Sequence, residues 1–163
     1  MKVAIITISD RSYRGEREDK SGPALSEFIK ANLDVDELQM KIIPDEKSYI
    51  IRTLKLFCNN HFDLIITTGG TGVTTRDVTP EATLEVIEKR LWGFEEIMRI
   101  KSYEKTPNGI ISRGVAGVCK KTLIMNLPGN PRGAVENLSF VLPAIPHTIA
   151  KIHDDPSEPG ESS

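Results

Sequence analysis

Residues 63–81 read Asp63-Leu64-Ile65-Ile66-Thr67-Thr68-Gly69-Gly70-Thr71-Gly72-Val73-Thr74-Thr75-Arg76-Asp77-Val78-Thr79-Pro80-Glu81. The first six positions form a short β-branched run that ends in glycines, which reads as a strand by length and composition. Three glycines in four positions then let the backbone take positive φ and approach a ligand closely. Thr79-Pro80 predicts an N-cap followed by proline at the first helical position. Strand, bare-amide loop and helix start make one βα unit, and they put the loop at the carboxyl end of the strand, where open α/β sheets bind ligands.

The same alternation extends in both directions. Upstream, Val3–Ser9 is a near-continuous apolar run, as in a parallel strand covered on both faces. A polar loop through Asp10-Arg11 and Glu16–Lys20 leads to Ser21-Gly22-Pro23, and Ala24, Leu25, Phe28, Ile29 and Leu33 then recur at helical spacing. Leu38–Ile43 is a second strand closed by Pro44, and Ile50, Ile51, Leu54, Phe57 and Cys58 mark a second helix. Downstream, Leu84, Ile87 and Leu91 predict a helix, Trp92-Gly93-Phe94 a break with apolar anchors, and Phe94–Tyr103 another helix. Val115–Cys119 and Thr122–Asn126 read as a hairpin turning at Lys120-Lys121, which makes one strand antiparallel. A last helix carries Ala134, Leu138, Val141 and Leu142 until Pro143 and Pro146 break it. The expectation is a three-layer α/β/α sandwich with a mostly parallel sheet and one antiparallel strand. Residues 1–153 form its one domain, and residues 154–163 are an acidic, disordered tail by composition.

Composition narrows the function classes. The chain has 163 residues, 39% hydrophobic and 27% charged, the balance of an ordinary globular domain. Net charge is −2, and without the last ten residues it is +2, far from a nucleic-acid footprint. The sequence holds no spanning apolar run and no signal-peptide pattern, so a cytoplasmic protein without nucleic-acid or membrane partners is expected. Cys58 and Cys119 read as buried small hydrophobes, and His61, His147 and His153 as surface or packing residues.

Three loops leave the carboxyl ends of the strands. Besides the glycine loop, Leu127-Pro128-Gly129-Asn130-Pro131 offers Asn130 as a cap and Gly129 as a close-approach position. The third runs from Ser9-Asp10-Arg11 to Ser21-Gly22-Pro23. One glycine turn is as readily a tight connection as a ligand site, but two that each end in an X-Pro helix start favour an anion with more than one phosphate. The P-loop pattern is missing, and Gly70–Thr75 lacks the final glycine of a dinucleotide fingerprint. Asp45 either caps the helix after it or binds a metal, and Asp77 either pairs with Arg76 or binds a metal. Arg113, after Ser112, reads equally as a phosphate contact or a surface residue.

Ser9-Asp10-Arg11, Asp19-Lys20-Ser21-Gly22, Ile43-Pro44-Asp45-Glu46, Thr68–Gly72, Arg76–Thr83, Ser112-Arg113 and Leu127–Pro131 resemble, in order, the molybdopterin adenylyltransferase (MogA/MoaB) family. The matches run from about residue 3 to 152. The glycine loop joined to Arg76–Thr83 is highly specific, and Leu127–Pro131 moderately so. The resemblance implies a homotrimer that adenylylates molybdopterin with Mg²⁺-ATP, releasing pyrophosphate before a downstream protein inserts molybdate. It places the two important acids, as catalytic residues and Mg²⁺ ligands, on Asp45 and Asp77. It places substrate contacts on Ser9, Asp10, Thr68, Gly69, Gly70, Thr71, Gly72, Arg76, Glu81, Pro128, Gly129, Asn130 and Pro131. Leu142–His147 runs straight on as in the shorter MoaB-like members, whereas Ser9–Arg11 and Asp19–Gly22 lean toward the adenylyltransferases. A non-catalytic molybdopterin carrier and a nucleotide pyrophosphatase are the alternative readings.

Overall fold

The computed structural model describes residues 1–158. The element order is β1 (Lys2–Ile8), α1 (Asp10–Tyr13), α2 (Ser21–Asn32), β2 (Glu37–Ile43), α3 (Lys47–Asn59), β3 (Leu64–Thr68), α4 (Thr79–Leu84), β4 (Lys89–Arg90), α5 (Trp92–Lys105), a 3₁₀ turn (Pro107–Ile111), β5 (Ala116–Cys119), β6 (Thr122–Leu127), α6 (Pro131–Val141), a second 3₁₀ turn (Leu142–Ala144) and α7 (Ile145–Ile152). The sheet order is β2-β1-β3-β6-β5-β4, parallel from β2 to β6, with β5 antiparallel to both neighbours. The expected three-layer fold with one antiparallel strand is thus the observed one.

Alternation along the strands builds two cores. Val3, Ile5, Leu64, Ile66, Leu123 and Met125 face α2, α5, α6 and α7. Ala4, Ile6, Ile8, Ile65 and Ile124 face α3 and α4 on the other side. A period-2 backbone that is apolar at every position buries both faces, hence the continuous runs in β1 and β3. Cys58 and Cys119 lie buried among the α3-side residues, and burial first, then the neighbouring Cys119, pushes the Cys58 thiol up to about 12.

Four local readings are corrected. The helix expected through Leu91 ends at Leu84, because the following residues turn to pair with β5: Glu88 N–H donates to Val118 O at 2.8 Å and Leu91 N–H to Ala116 O at 2.8 Å. Trp92 opens α5 and does not break the chain; Arg90 stacks on its ring at 3.6 Å. Ser9 caps a one-turn helix, α1, where a loop was expected, its Oγ accepting from Ser12 N–H at 3.2 Å. Pro146 does not end the chain's helices but sits in the first turn of α7, where a missing N–H leaves no bond unmade.

The tail expectation covers residues 154–163, of which 159–163 lie outside the described residues. Asp154 itself meets the Lys121 ammonium. Among the described residues no helix is long and apolar enough to cross a membrane.

Candidate functional site

The carboxyl ends of β1, β3 and β6 converge, and hydrogen bonds lock their loops together. Gly69 N–H donates to Leu127 O at 3.1 Å, and Thr68 Oγ1 donates to Pro128 O at 2.7 Å. Ser21 Oγ, at the start of α2, donates to Gly129 O at 2.6 Å. The two glycine loops touch: a Cβ on Gly129 would stand 3.3 Å from Gly69 Cα. Gly69 takes φ +102° and Gly70 φ +67°, and a Cβ on Gly69 would collide with the Ile8 carbonyl. Gly69→Ala is therefore expected to cost about 2 kcal/mol from backbone strain alone, read as a fall in denaturation midpoint.

Thr79 is not the helix cap expected from the sequence. The cap position falls on Val78, and the buried Thr79 hydroxyl instead donates to Gly69 O at 2.9 Å. Its N–H donates to Gly70 O at 3.1 Å, so the residue clasps the glycine turn from below. Asn130 does cap α6, accepting from Gly133 N–H at 3.0 Å.

Two cavities flank this junction. The larger, about 920 Å³, runs from Gly72 and Pro128 to the C-terminal end of α5 and the 3₁₀ turn. The smaller, about 380 Å³, is bounded by Ser9, Ser21, Thr68, Gly69 and Asp45. Gly70, Asp77, Gly129 and Asn130 belong to both walls. Thr71 lines the larger and Pro131 the smaller.

The two acids sit differently from their simplest readings. Asp45 does not cap α3: the cap position is Glu46, which makes no side-chain cap bond among the described residues. Asp45 Oδ2 accepts from Asp10 N–H at 2.8 Å, and its own N–H donates to Asp10 Oδ1 at 3.0 Å. Asp77 does not pair with Arg76 either. Its Oδ2 accepts from Thr74 N–H at 3.0 Å and Thr74 Oγ1 at 2.8 Å. Arg76 reaches across to Asp10, with Nε and Nη2 at 2.9 and 3.0 Å, and its guanidinium holds the Asp10 carboxyl below its ordinary value.

Burial, then the negative charges of Asp10 and Asp77, push the Asp45 carboxyl above its ordinary value. A raised folded-state pKa means that stability present below the ordinary 3.8 is lost as pH rises through the folded value. Asp45→Asn is thus expected to melt ~1–3 °C higher than the parent at neutral pH, with the gap closing at pH 3 in parallel thermal scans.

Among the described residues no cluster of three or more His, Cys, Asp or Glu is placed to hold a metal. Asp45 Oδ1 and Asp77 Oδ1 accept no hydrogen bond there, while Oδ2 of each is engaged. Two hard oxygens on one cavity wall, with one carboxyl raised partly by its acidic neighbours, suit a divalent cation that completes its shell with substrate phosphates.

Asp10, Arg76 and Glu81, expected as substrate contacts, stand outside both walls, Glu81 turned to Arg113 and Arg76 paired with Asp10. Residues the sequence reading missed complete the cavities: Arg17 and Lys20 at the smaller, and Lys105, Asn108 and Asn137 at the larger. Asn137 carried a signal, a polar residue on the apolar stripe of α6. Its side chain is buried, accepting from Ser102 Oγ at 3.0 Å and donating to Gly133 O at 2.8 Å.

A family model described as "Probable molybdopterin binding domain" matches residues 4–147. Molybdopterin adenylyltransferases of Helicobacter pylori (strain J99) and Escherichia coli (strain K12) are each 42% identical to this chain. The matches cover 90% and 86% of it and 85% and 73% of those proteins. The crystal structure of the molybdopterin biosynthesis enzyme MoaB from Thermus thermophilus aligns with a TM-score of 0.86 at 42% identity, over 96% of this chain and 99% of that one.

Proposed function

This chain belongs to the molybdopterin-binding domain family of molybdenum cofactor biosynthesis, and we propose on that premise that it is a molybdopterin adenylyltransferase using Mg²⁺ and ATP. The observation that carries the reading is the pair of cavities sharing Gly70, Asp77, Gly129 and Asn130. A transfer between two bulky substrates needs two compartments that meet where the bond forms.

In the reaction the terminal phosphate oxygen of molybdopterin attacks the α-phosphorus of ATP. A new phosphoanhydride bond forms, the bond from the α-phosphorus to the β-phosphate bridge breaks, and pyrophosphate leaves with the electron pair. No side-chain nucleophile is required, so positioning and charge stabilisation supply the catalysis. Amides of the Gly69–Gly72 turn bind phosphate oxygens at the junction, and the Thr79 bonds to Gly69 O and Gly70 O keep the turn aimed without reorganisation. Gly129 and Asn130 hold the opposite lip. Asp77 and Asp45 would hold the cation, whose charge neutralises the polyphosphate. Asp10, bonded to both Arg76 and Asp45, keeps the loops after β1, β2 and β3 in register around them.

Incubating the protein with molybdopterin and Mg²⁺-ATP should yield adenylyl-molybdopterin and pyrophosphate. Pterin binding without product would identify a carrier, and AMP release without pterin a pyrophosphatase. The product then passes to a molybdate-insertion protein in the cytoplasm. We further propose a homotrimer, supported by the low net charge and by Trp92, Ile100 and Tyr103 exposed along α5. Light scattering at micromolar concentration should give three times the chain mass, and a monomer would refute it.

A further inference from the structure

Arg113 precedes β5 and spans the loop that carries Asp77. Its backbone N–H donates to Thr71 O at 2.9 Å. Its guanidinium donates from Nε to Gly72 O at 2.7 Å, from Nη2 to Asp77 O at 2.9 Å, and from Nη1 to the Glu81 carboxylate. Gly72 and Asp77 are the two ends of one loop, and its interior is closed by Asp77 N–H donating to Thr74 O at 3.1 Å. One planar group thus fixes both ends of the segment that sets where Asp77 stands.

The base under Arg113 is firm. Arg99 Nη1 donates to Gly114 O at 2.9 Å, and a Cβ on Gly114 would stand 2.8 Å from Asn126 O. On the other side, Glu81 takes the remaining arm with Oε1, while its Oε2 is buried and has no hydrogen-bond partner among the described residues. A buried carboxylate oxygen left unmatched is unfavourable, and such groups gather where structure is arranged for function. Arg113 reaches two carbonyls and a carboxylate from three separate nitrogens, whereas a lysine offers all its donors from one atom. Ser112, beside it, lines the larger cavity, but Arg113 turns to the loop carbonyls.

We propose that Arg113 is a positioning residue for adenylyl transfer, holding Asp77 at the junction of the two cavities, and that Glu81 orients Arg113. The proposal rests on the adenylyltransferase reading above.

The test uses the full chain with Arg113→Ala, Arg113→Lys and Glu81→Gln. It follows single-turnover adenylyl-molybdopterin formation against ATP concentration, molybdopterin affinity, melting temperature and amide hydrogen exchange over residues 73–77. Arg113→Ala should lower the maximal rate about 30-fold with KM for ATP and pterin affinity within about threefold. Arg113→Lys should recover only part of the rate, and Glu81→Gln should lose about fivefold. Exchange over residues 73–77 should quicken in all three. If Arg113→Ala does not fold, the other two variants carry the comparison.

A rise in KM at unchanged maximal rate would make Arg113 a substrate contact and overturn the proposal. So would activity losses that merely follow melting temperature, or full rescue by lysine. A parent protein that forms no product would refute the adenylyltransferase reading instead. In that case unchanged exchange over residues 73–77 in the variants would still overturn the positioning role, and faster exchange would uphold the loop-holding on which it depends.

Discussion

Asp77→Asn is expected to slow adenylyl transfer by about 100-fold, a loss of ~3 kcal/mol of transition-state stabilisation, with molybdopterin affinity nearly unchanged. The substitution is selective because of how Asp77 is held. Its Oδ2 accepts from Thr74 N–H and Oγ1, and an asparagine oxygen can accept both bonds, so the loop survives. What disappears is the negative charge at the junction of the two cavities. The competing account, an exposed ion pair with Arg76, would predict an effect of ~0–1 kcal/mol on stability and little on turnover. The structure gives that arginine to Asp10. Single-turnover product formation with pterin affinity measured in parallel decides the matter, and near-normal turnover would remove Asp77 from the mechanism.

Glu95→Ala is expected to destabilise the fold by ~3 kcal/mol or more, the scale for breaking a buried charged pair from one side. Glu95 is fully buried in α5. It accepts from Arg90 Nε and Nη2 at 2.8 and 2.9 Å, from Arg99 Nη2 at 3.2 Å, and from Ala116 N–H at 3.3 Å. Its removal strands two arginines and one backbone donor and uncouples α5 from the β4–β5 edge. Burial pushes the Glu95 carboxyl up, but the bonds from Arg90, Ala116 and Arg99 overcome it and hold the group below its ordinary 4.5. A depressed folded-state pKa contributes stability above 4.5 and loses it as pH falls through the folded value. The gap between parent and Glu95→Ala should therefore be widest at neutral pH, roughly 6–12 °C in melting temperature, and should shrink in acid. A gap independent of pH would show that packing, not charge, carries the loss.

The order of strands and helices was legible wherever an element had a strong period or a clear end. β1 and β3 announced themselves as apolar runs, and the Asn130-Pro131 start of α6 was readable because the capping chemistry lies within four residues. Reading failed where a distant segment decided the local choice. Ile87 and Leu91 have helical spacing, yet the backbone between them pairs with β5, about 30 positions later. The site divides the same way. Glycines and acids at strand ends were visible, but the wall of the larger cavity comes from α5 and α6, whose polar residues look like ordinary surface positions until the helices are packed.

Sequence alone determined the layered α/β sandwich, the two glycine loops at the carboxyl edge and the two carboxylates beside them, because periodicity, capping and glycine freedom are local properties of the chain. Tertiary structure decided the partners. Asp77 has Arg76 beside it in the chain but bonds to Thr74, and Arg76 crosses to Asp10. Thr79 ties down a glycine ten residues away instead of capping a helix, and Arg113 reaches back to a loop more than thirty positions earlier. A hydrogen bond is made by whichever groups the packed backbone brings within about 3 Å, and sequence neighbours hold no privilege in that choice.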